Sequence, residues 1–331
     1  MKILLIMPNF FGVTKHLIEG FKDLNCAVTY YCGTIKKTFF QNIKVNLNKN
    51  NLNAFFAKKI DKDLIATFDT NYFDKVIIFY AGEPYRTRSV VQKLKSHFKC
   101  EFIYYAWDSI ANMHNVSSFI DLFDRKYTFD YDDKTMYGIN FLPLFYTTQY
   151  NDRKIIYTYL TIMSYYIGKD YGVSLIRKSL EKVQGGKLIL VINHKIRYFI
   201  YKIRYFNIFK KYKINDFIYH QIQSDECDNM FASSFCIVDI PLKNQRGLTI
   251  RTIDAIYNKK KLITTNKAIK KYNFYSENNI FVVDENNTVI PDSFFETKFD
   301  EQYCINESYS IHKFCKILLA FDSMSDKDYL S

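Results

Sequence analysis

The sequence predicts an α/β protein with two doubly wound parallel sheets. Short apolar runs recur along the chain, as expected of strands buried on both faces of a sheet. A loop and then an amphipathic helical pattern follow most of these runs, which favours parallel strands covered by helices. The length of 331 residues fits roughly two domains.

The first half opens with an apolar run at residues 2–7, which is predicted as a buried strand. A loop through Gly12 leads to a helical pattern with Leu17, Ile18, Phe21 and Leu24 on one face, and then to a strand at 27–31. The later predicted elements are strands at 75–80, 101–106 and 125–129, helices at 86–97 and 116–123, a polar loop with Asp130, Asp132 and Asp133, and a closing segment at 141–145.

The second half repeats this order. Its predicted elements are strands at 159–166, 187–192, 216–220, 234–240, 261–264 and 280–283, and helices at 173–183, 224–231, 248–257 and 308–321. The predicted domains are 1–152 and 153–306. Residues 307–331 form a C-terminal helical segment that could pack back on the first domain.

The amino-acid composition limits the classes of molecule that the protein is expected to bind. The net charge is +12 and aromatic residues make up 18% of the chain. A basic, aromatic-rich chain suits nucleic acid, an anionic membrane or a phosphorylated small molecule. An AT-rich coding bias towards Lys, Asn, Ile, Tyr and Phe is the alternative explanation of this composition.

The cysteines and the apolar runs indicate in which cellular compartment the protein is found. Seven cysteines without a Cys-x-x-Cys pair favour neither a zinc ribbon nor a disulfide framework. No apolar run approaches the ~20 residues of a membrane-spanning helix. We therefore expect a cytoplasmic protein in a reducing environment, which could also touch a membrane.

The most informative segment runs from a buried strand at 234–240 through a polar loop to a helix. Gly247 would let a phosphate approach the free backbone N–H groups at the start of that helix, and Arg246 and Arg251 add positive charge. Asp254 follows Arg251 by three residues, so that one helix face could hold both. An ordinary strand–helix unit with a solvated Arg–Asp pair explains the pattern equally well.

This segment resembles bacterial GT-B-type glycosyltransferases of lipopolysaccharide and capsule gene clusters. The resemblance rests on residues 245–255 and 260–266, and on Ile269, Tyr272, Phe274, Tyr275, Asn279 and Ile280. Residues 103–109, 123–124, 129–130 and 142–146 resemble them too. The resemblance implies two Rossmann-like domains that face each other across a cleft, with the acceptor held by 1–152 and the nucleotide-sugar by 153–306.

The resemblance also implies roles for residues of the second domain. Asp254 would hold the ribose, although many relatives carry Glu there, and Gly168 and Lys169 would face the diphosphate. The other implied donor-binding residues are His220, Gln245, Arg246, Gly247, Leu248, Thr249 and Arg251. A plain strand–helix turn at Gly168 and Lys169, and a structural His220, are the alternative interpretations.

Inverting sugar transfer needs a carboxylate or an imidazole to take the proton of the acceptor hydroxyl. Asp108 follows a buried strand and is the first candidate, followed by Glu83 and His16. Each of these could instead cap a helix, and a retaining enzyme would need no such base.

No metal site is expected. Asp130, Asp132 and Asp133 lie in a polar sequence that is more typical of a turn, and GT-B enzymes typically need no essential metal or other cofactor because a helix dipole and basic groups stabilise the leaving diphosphate. The Walker and dinucleotide-binding glycine patterns are absent from the sequence, which disfavours kinases and dehydrogenases.

Residues 195–213 concentrate basic and aromatic side chains, and Lys-Ile-Arg-Tyr-Phe occurs there twice, seven residues apart. One helix could carry both copies on one side and lie on an anionic bilayer. The alternative, slightly favoured by sequence alone, is a domain helix with an apolar core face and snorkelling basic residues. No nucleic-acid motif supports nucleic-acid binding.

The sequence thus predicts a glycosyltransferase that moves a sugar from a nucleotide-sugar to a lipid-linked or lipopolysaccharide or capsule glycan. It would act in the cytoplasm or peripherally on the inner face of the plasma membrane. The alternatives are a nucleotide-sugar epimerase of the same fold and a non-enzymatic basic module that binds membranes or nucleic acid.

Overall fold

The computed structural model of the protein describes residues 1–10, 12–32, 65–66, 68, 72–80, 87–113, 116–323 and 325–331. Two compact units divide the chain. The first comprises the described residues of Met1–Pro143 and Ile311–Met324, and the second comprises Leu144–Ser310 and Ser325–Ser331.

The first unit contains a six-stranded parallel sheet in the order β2-β1-β3-β4-β5-β6. Its strands are β1 (Lys2–Met7), β2 (Ala27–Cys32), β3 (Lys75–Tyr80), β4 (Glu101–Ala106), β5 (Arg125–Thr128) and β6 (Asn140–Phe141). The apolar run of β1 is buried from Ile3 to Met7 because neighbouring strands and both faces of the sheet cover it.

The described helices of this unit are α1 (Val13–Asp23), α2 (Arg88–Phe98), α3 (Tyr131–Tyr137) and α10 (Ile311–Leu319). Helix α10 packs on α1, where a side chain at Gly20 would meet Cys315 Sγ at 3.1 Å. The Arg125 guanidinium also donates to the carbonyl of Ile317 at 3.2 Å. Helix α10 is therefore built into the first unit, whereas Ser325–Ser331 belongs to the second.

The second unit holds a parallel sheet of six strands in the order β12-β11-β10-β7-β8-β9. Its strands are β7 (Tyr157–Ser164), β8 (Lys187–Val191), β9 (Phe217–Ile218), β10 (Ser234–Asp239), β11 (Lys261–Thr264) and β12 (Ile280–Val282). Its helices are α4 (Asp170–Ser179), α5 (Lys195–Arg204), α6 (Phe206–Phe209), α7 (Ser224–Ala232), α8 (Ile250–Tyr257) and α9 (Asp292–Glu296).

Three local predictions are wrong. The helix expected at 116–123 is two short 3₁₀ turns, Val116–Ser118 and Ile120–Leu122. The polar loop with Asp130, Asp132 and Asp133 is instead the capped start of α3, because the Asp130 carboxylate accepts a hydrogen bond from the Asp132 backbone N–H at 3.1 Å.

The third concerns residues 195–213, which are not one helix. Helix α5 ends at Arg204 and the chain bends at Tyr205, whose φ of −125° and ψ of 45° are not helical. The first Lys-Ile-Arg-Tyr-Phe copy lies within α5, whereas the second is split at the bend.

No helix in the described part of the chain combines the length and the apolar character that crossing a membrane requires.

Candidate functional site

In the second unit, the strand order reverses between β10 and β7. The chain builds outward from β7 to β8 and β9 on one side, and from β10 to β11 and β12 on the other. In open parallel sheets, such a reversal leaves a crevice at the carboxyl ends of the two strands, and ligands bind there. The loops at 165–169 and 240–249 meet at this crevice.

Two glycines allow the close approach of these loops. An added Cβ at Gly172, in the first turn of α4, would lie 2.6 Å from Ile240 Cγ2. At Gly168 it would lie 3.3 Å from Leu242 Cδ2. The absence of side chains therefore lets the start of α4 lie directly against the loop that follows β10.

Asp239, the last residue of β10, fixes the start of α8. Its carboxylate accepts hydrogen bonds from Thr249 Oγ1 at 2.9 Å, from Thr252 Oγ1 at 3.0 Å and from Arg251 at 3.0 Å. Thr249 in turn caps the helix by accepting from the Thr252 backbone N–H at 3.2 Å. Asp239 was not predicted as a site residue, because its only local signal is an acidic residue at the end of an apolar strand.

Asn266 fixes the loop before α8 from the other side. Its Nδ2 donates to the carbonyls of Arg246 at 3.0 Å and Gly247 at 3.3 Å. Gln245 Nε2 also donates to the Gly247 carbonyl, at 3.3 Å. The loop predicted to bind phosphate is thus held in place by hydrogen bonds within the protein.

A cavity of about 180 Å³ lies beside this loop, and we call it the switch-point pocket. Gly168, Gln245 and Arg246 of the predicted donor-binding set line it. The other lining residues are Tyr171, Gly172, Leu175, Pro241, Leu242, Lys243, Thr265, Asn266, Lys267, Val283, Asp284, Glu285 and Asn286.

The rim of the switch-point pocket carries both signs of charge. Lys243 and Arg246 are exposed, and Lys243 Nζ lies 5.1 Å from the centre of the Tyr171 ring. Lys267 forms an ion pair with Asp284 at 2.8 Å. The Tyr171 hydroxyl donates to the Glu285 carboxylate at 2.5 Å, so a carboxylate also lies beside the ring that Lys243 approaches.

Other members of the predicted set lie around the pocket without lining it. Lys169 closes the 3₁₀ turn Ile167–Lys169, next to Gly168. Gly247 and Leu248 are buried in the loop, and Thr249 is the helix cap. His220 is exposed two residues after β9, at the edge of the sheet and two strands from β7. It does not line this pocket, and its contact with a base stays a prediction.

Arg251 and Asp254 do not pair with each other. The Arg251 guanidinium binds Asp239 and also donates to the carbonyl of Ile162 at 2.7 Å. The solvated Arg–Asp pair considered from sequence is therefore wrong, because each side chain has a different partner. Contact of Arg251 with a phosphate stays a prediction.

Asp254 is buried, with 7% of its surface exposed, and binds the chain at the start of the second unit. Its carboxylate accepts hydrogen bonds from Thr147 N at 2.7 Å, Thr147 Oγ1 at 2.9 Å and Thr148 N at 3.4 Å. Burial raises the pKa of this carboxyl to about 7, against the effect of those hydrogen bonds. A ribose contact of Asp254 stays a prediction.

Two further residues at the end of α8, Tyr257 and Asn258, contact the chain that follows Thr147 and Thr148 or precedes them. The ring of Tyr257 stacks on Tyr146 with centroids 3.7 Å apart, and Asn258 Oδ1 accepts from the Tyr150 backbone N–H at 2.6 Å. Residues 146–150 thus lie along the helix that was predicted to face a ribose.

The first unit has its own reversal of strand order, between β1 and β3. His16 lies on α1 after β1, with Nδ1 4.0 Å from the Glu19 carboxylate. Asp108 follows β4, next to β3, so both lie toward the carboxyl edge of one sheet. Glu83 lies outside the described residues.

Asp108 is half-buried and engaged in its own loop. Its Oδ1 accepts from the Ser109 backbone N–H at 2.9 Å and from Asn112 Nδ2 at 3.4 Å. The neighbouring Trp107 stacks on Phe10 with centroids 4.7 Å apart. Asp108 therefore orders the turn after β4, and its role as a base stays a prediction.

Two buried carboxylates beneath this turn were not predicted to have a role. Asp130 pairs with the Ser109 hydroxyl. Asp133 accepts from the Ile110 backbone N–H at 2.8 Å and from Thr128 Oγ1 at 3.2 Å, and burial raises its pKa to about 6. They hold the Asp108 loop against β5.

Across the described ranges, no cluster of three His, Cys, Asp or Glu side chains is arranged to hold a metal ion.

No protein-family model and no curated protein sequence matches the chain. Solved structures do match it. A glycosyltransferase from Rickettsia africae is 14% identical with a TM-score of 0.51, and the match covers 97% of this chain and 99% of that one. HepE from Anabaena, in complex with UDP and glucose, is 8% identical with a TM-score of 0.53, covering 97% and 96% of the two chains.

The UDP-GlcNAc 2-epimerase of Methanocaldococcus jannaschii, in complex with UDP-GlcNAc and UDP, is also similar. It is 11% identical with a TM-score of 0.55, and the match covers 97% of this chain and 100% of the epimerase. Likeness at this level of identity shows the fold. The predicted fold class is therefore confirmed: the chain has an α/β fold of the GT-B type, with two Rossmann-like units.

Proposed function

We propose that the protein is a glycosyltransferase that uses a nucleotide-sugar donor. The observation that carries this proposal is the hydrogen-bonded loop at the β10–β7 reversal, where Gln245 and Arg246, just before α8, line a pocket. Solved proteins of similar fold include a glycosyltransferase and HepE bound to UDP-glucose, which supports a nucleotide-sugar as the ligand.

We assign the donor diphosphate to the loop at 245–249 and to Gly168 and Lys169. The backbone N–H groups at the start of α8 and the Arg246 guanidinium would stabilise the charge that develops as the diphosphate leaves. Asp239 and Asn266 hold these groups in place, which lowers the cost of organising them during the reaction.

We assign the acceptor to the first unit. In an inverting reaction the acceptor oxygen would attack the anomeric carbon while the bond from that carbon to the diphosphate oxygen breaks. Asp108, Glu83 or His16 would take the acceptor proton. Asp108 is the first choice because its loop is fixed by Asp130 and Asp133.

The proposed acceptor is a lipid-linked glycan or a lipopolysaccharide or capsule glycan, as the sequence resemblance implies. The proposed location is the cytoplasm, with peripheral contact to the inner face of the plasma membrane. All seven cysteines are free thiols, in keeping with a reducing compartment.

A nucleotide-sugar epimerase is the second candidate, favoured by the likeness to the UDP-GlcNAc 2-epimerase. The two activities differ in the need for an acceptor. An epimerase converts free nucleotide-sugar into its epimer, whereas a transferase releases nucleoside diphosphate in proportion to glycan product.

The test incubates the protein with nucleotide-sugars, with and without membrane extracts that contain glycolipid acceptors, and analyses sugar and nucleotide products by mass spectrometry and NMR. We expect acceptor-dependent release of nucleoside diphosphate, reduced at least 100-fold in Asp108→Asn if Asp108 is the base. Asp132→Asn, an exposed carboxylate of the same unit, is the control. Epimer formation without an acceptor would establish the second candidate instead.

A further inference from the structure

Helix α5 places its apolar side chains outward. Ile196, Phe199, Ile200 and Ile203 are exposed at 55%, 53%, 47% and 84% of their surfaces. Their spacing of three, one and three residues places all four on one helix face. Phe206, just after the bend, adds a fifth exposed apolar side chain, at 59%.

The opposite face of α5 is the one that packs on the domain. Tyr198 is 2% exposed and its hydroxyl donates to the carbonyl of Tyr212 at 3.1 Å. Tyr198 and Tyr201 each pack on Phe209, with centroids 5.4 Å apart in both pairs. The core therefore takes the tyrosine face, and the Ile/Phe face is left exposed.

Basic residues occupy the two flanks between these faces. With about 100° between successive residues, Lys195 and Lys202 lie on one side of the apolar face, and Arg197 and Arg204 lie on the other. Among the described residues, none of these four forms an ion pair. The segment 195–213 holds seven Lys and Arg residues and no Asp or Glu.

We propose that the exposed face of α5, formed by Ile196, Phe199, Ile200, Ile203 and Phe206, docks on an anionic lipid bilayer. An apolar helix face with basic residues on both flanks fits a membrane interface. The apolar side chains would enter the boundary of the acyl chains, and the basic groups would stay at the anionic headgroups. The concentrated positive charge disfavours a second copy of this chain as the occupant, because two such faces would repel each other.

This inference does not rest on the proposed sugar transfer. The test mixes the purified full chain with phosphatidylcholine vesicles, with or without phosphatidylglycerol, and measures cosedimentation. No nucleotide-sugar is present, so that failure of docking and failure of the enzymatic proposal are separate results.

We expect binding to the anionic vesicles, weakened by salt, and little binding to phosphatidylcholine alone. Ile203→Asp should lower the partition coefficient at least about tenfold, because it replaces an inserted apolar group with a charge of the wrong sign. Val289→Asp is the matched control, since Val289 is 81% exposed on another surface, and should bind like the parent.

The basic residues on the flanks of α5 are tested separately. Lys195→Gln with Lys202→Gln should weaken binding about 25-fold, at about fivefold for each charge. Lys15→Gln with Lys187→Gln removes the same charge from exposed positions elsewhere and should change binding little.

Three results would overturn the proposal. These are equal binding to neutral and anionic vesicles, unchanged binding by Ile203→Asp, and a vesicle-free dimer that Ile203→Asp dissociates. The last result would assign the face to a second copy of the chain.

Discussion

At the residue scale, Asp254 shows how far a sequence can identify a partner. The helical spacing correctly placed it one turn from Arg251, but the two side chains bind partners from other parts of the chain. Asp254 binds Thr147 and Thr148, 107 and 106 residues away. Such contacts are set by the packing of distant segments, and the local pattern of residues carries no signal for them.

The raised pKa of Asp254 makes stability depend on pH. The pKa is about 7 in the folded protein and 3.8 as its ordinary value. The unfolded chain therefore loses this proton first, and folding becomes less favourable as pH rises from about 4 to 7. At 1.36 kcal/mol per pKa unit, the loss attributable to this group is at most about 4 kcal/mol.

Denaturant unfolding of the parent and of Asp254→Asn at several pH values measures this effect. The free energy of unfolding of the parent, minus that of the variant, should fall between pH 4 and 7 and then level off. Asp124 gives a control of opposite sign: burial acts to raise its pKa, but the hydrogen bonds from Lys95 and the Phe102 backbone N–H together outweigh burial and lower it. A difference for Asp254→Asn that does not change with pH would contradict the assigned pKa.

At the scale of elements, sequence predicted the strands best. Runs such as Ile3–Met7 are apolar throughout because both sheet faces cover them, and this leaves a clear local signal. Helix α5 shows where the signal fails. Both its Tyr face and its Ile/Phe face are apolar, so periodicity predicts a helix but does not say which face is buried.

The Asp239 carboxylate is predicted to hold the start of α8. Asp239→Asn leaves the buried side of Arg251 without its charge partner, which should lower the free energy of unfolding by about 3 kcal/mol. Chemical denaturation measures this. The matched control is Asp121→Asn, which breaks an exposed Asp–Arg pair with Arg88 and should have little effect. Equal effects of the two variants would show that Asp239 does not organise the site.

Gly172 is predicted to be needed for close packing of α4. Gly172→Ala places a Cβ 2.6 Å from Ile240, a buried side chain, and should cost about 1–3 kcal/mol of stability. Gly168→Ala is the comparison, because its Cβ would meet the end of the flexible Leu242 side chain at 3.3 Å and should cost less. Thermal unfolding measures both, and the reverse order would contradict the packing described.

At the scale of the whole molecule, the alternation of strands and helices was enough to predict two parallel sheets, and the order of elements placed His16 and Asp108 toward one sheet edge. The candidate donor site was predicted only in part. Gly168, Gln245 and Arg246 line one pocket, because they follow the two strands at the reversal. Asp239 and Asn266, which hold the loop, were missed since their partners lie on other elements.

The central claim is that the second unit binds a nucleotide-sugar through the loop that contains Arg246. Thermal unfolding with UDP, GDP, dTDP and CMP tests it, because a ligand that binds the folded state raises stability by RT ln(1 + [L]/Kd). We predict that at least one nucleoside diphosphate stabilises the parent, by about 2.7 kcal/mol at 100 times its Kd. Arg246→Gln should lose most of that gain, and Arg153→Gln, an exposed arginine elsewhere in the unit, should retain it. No stabilisation of the parent by any of the four, or full stabilisation of Arg246→Gln, would contradict the claim.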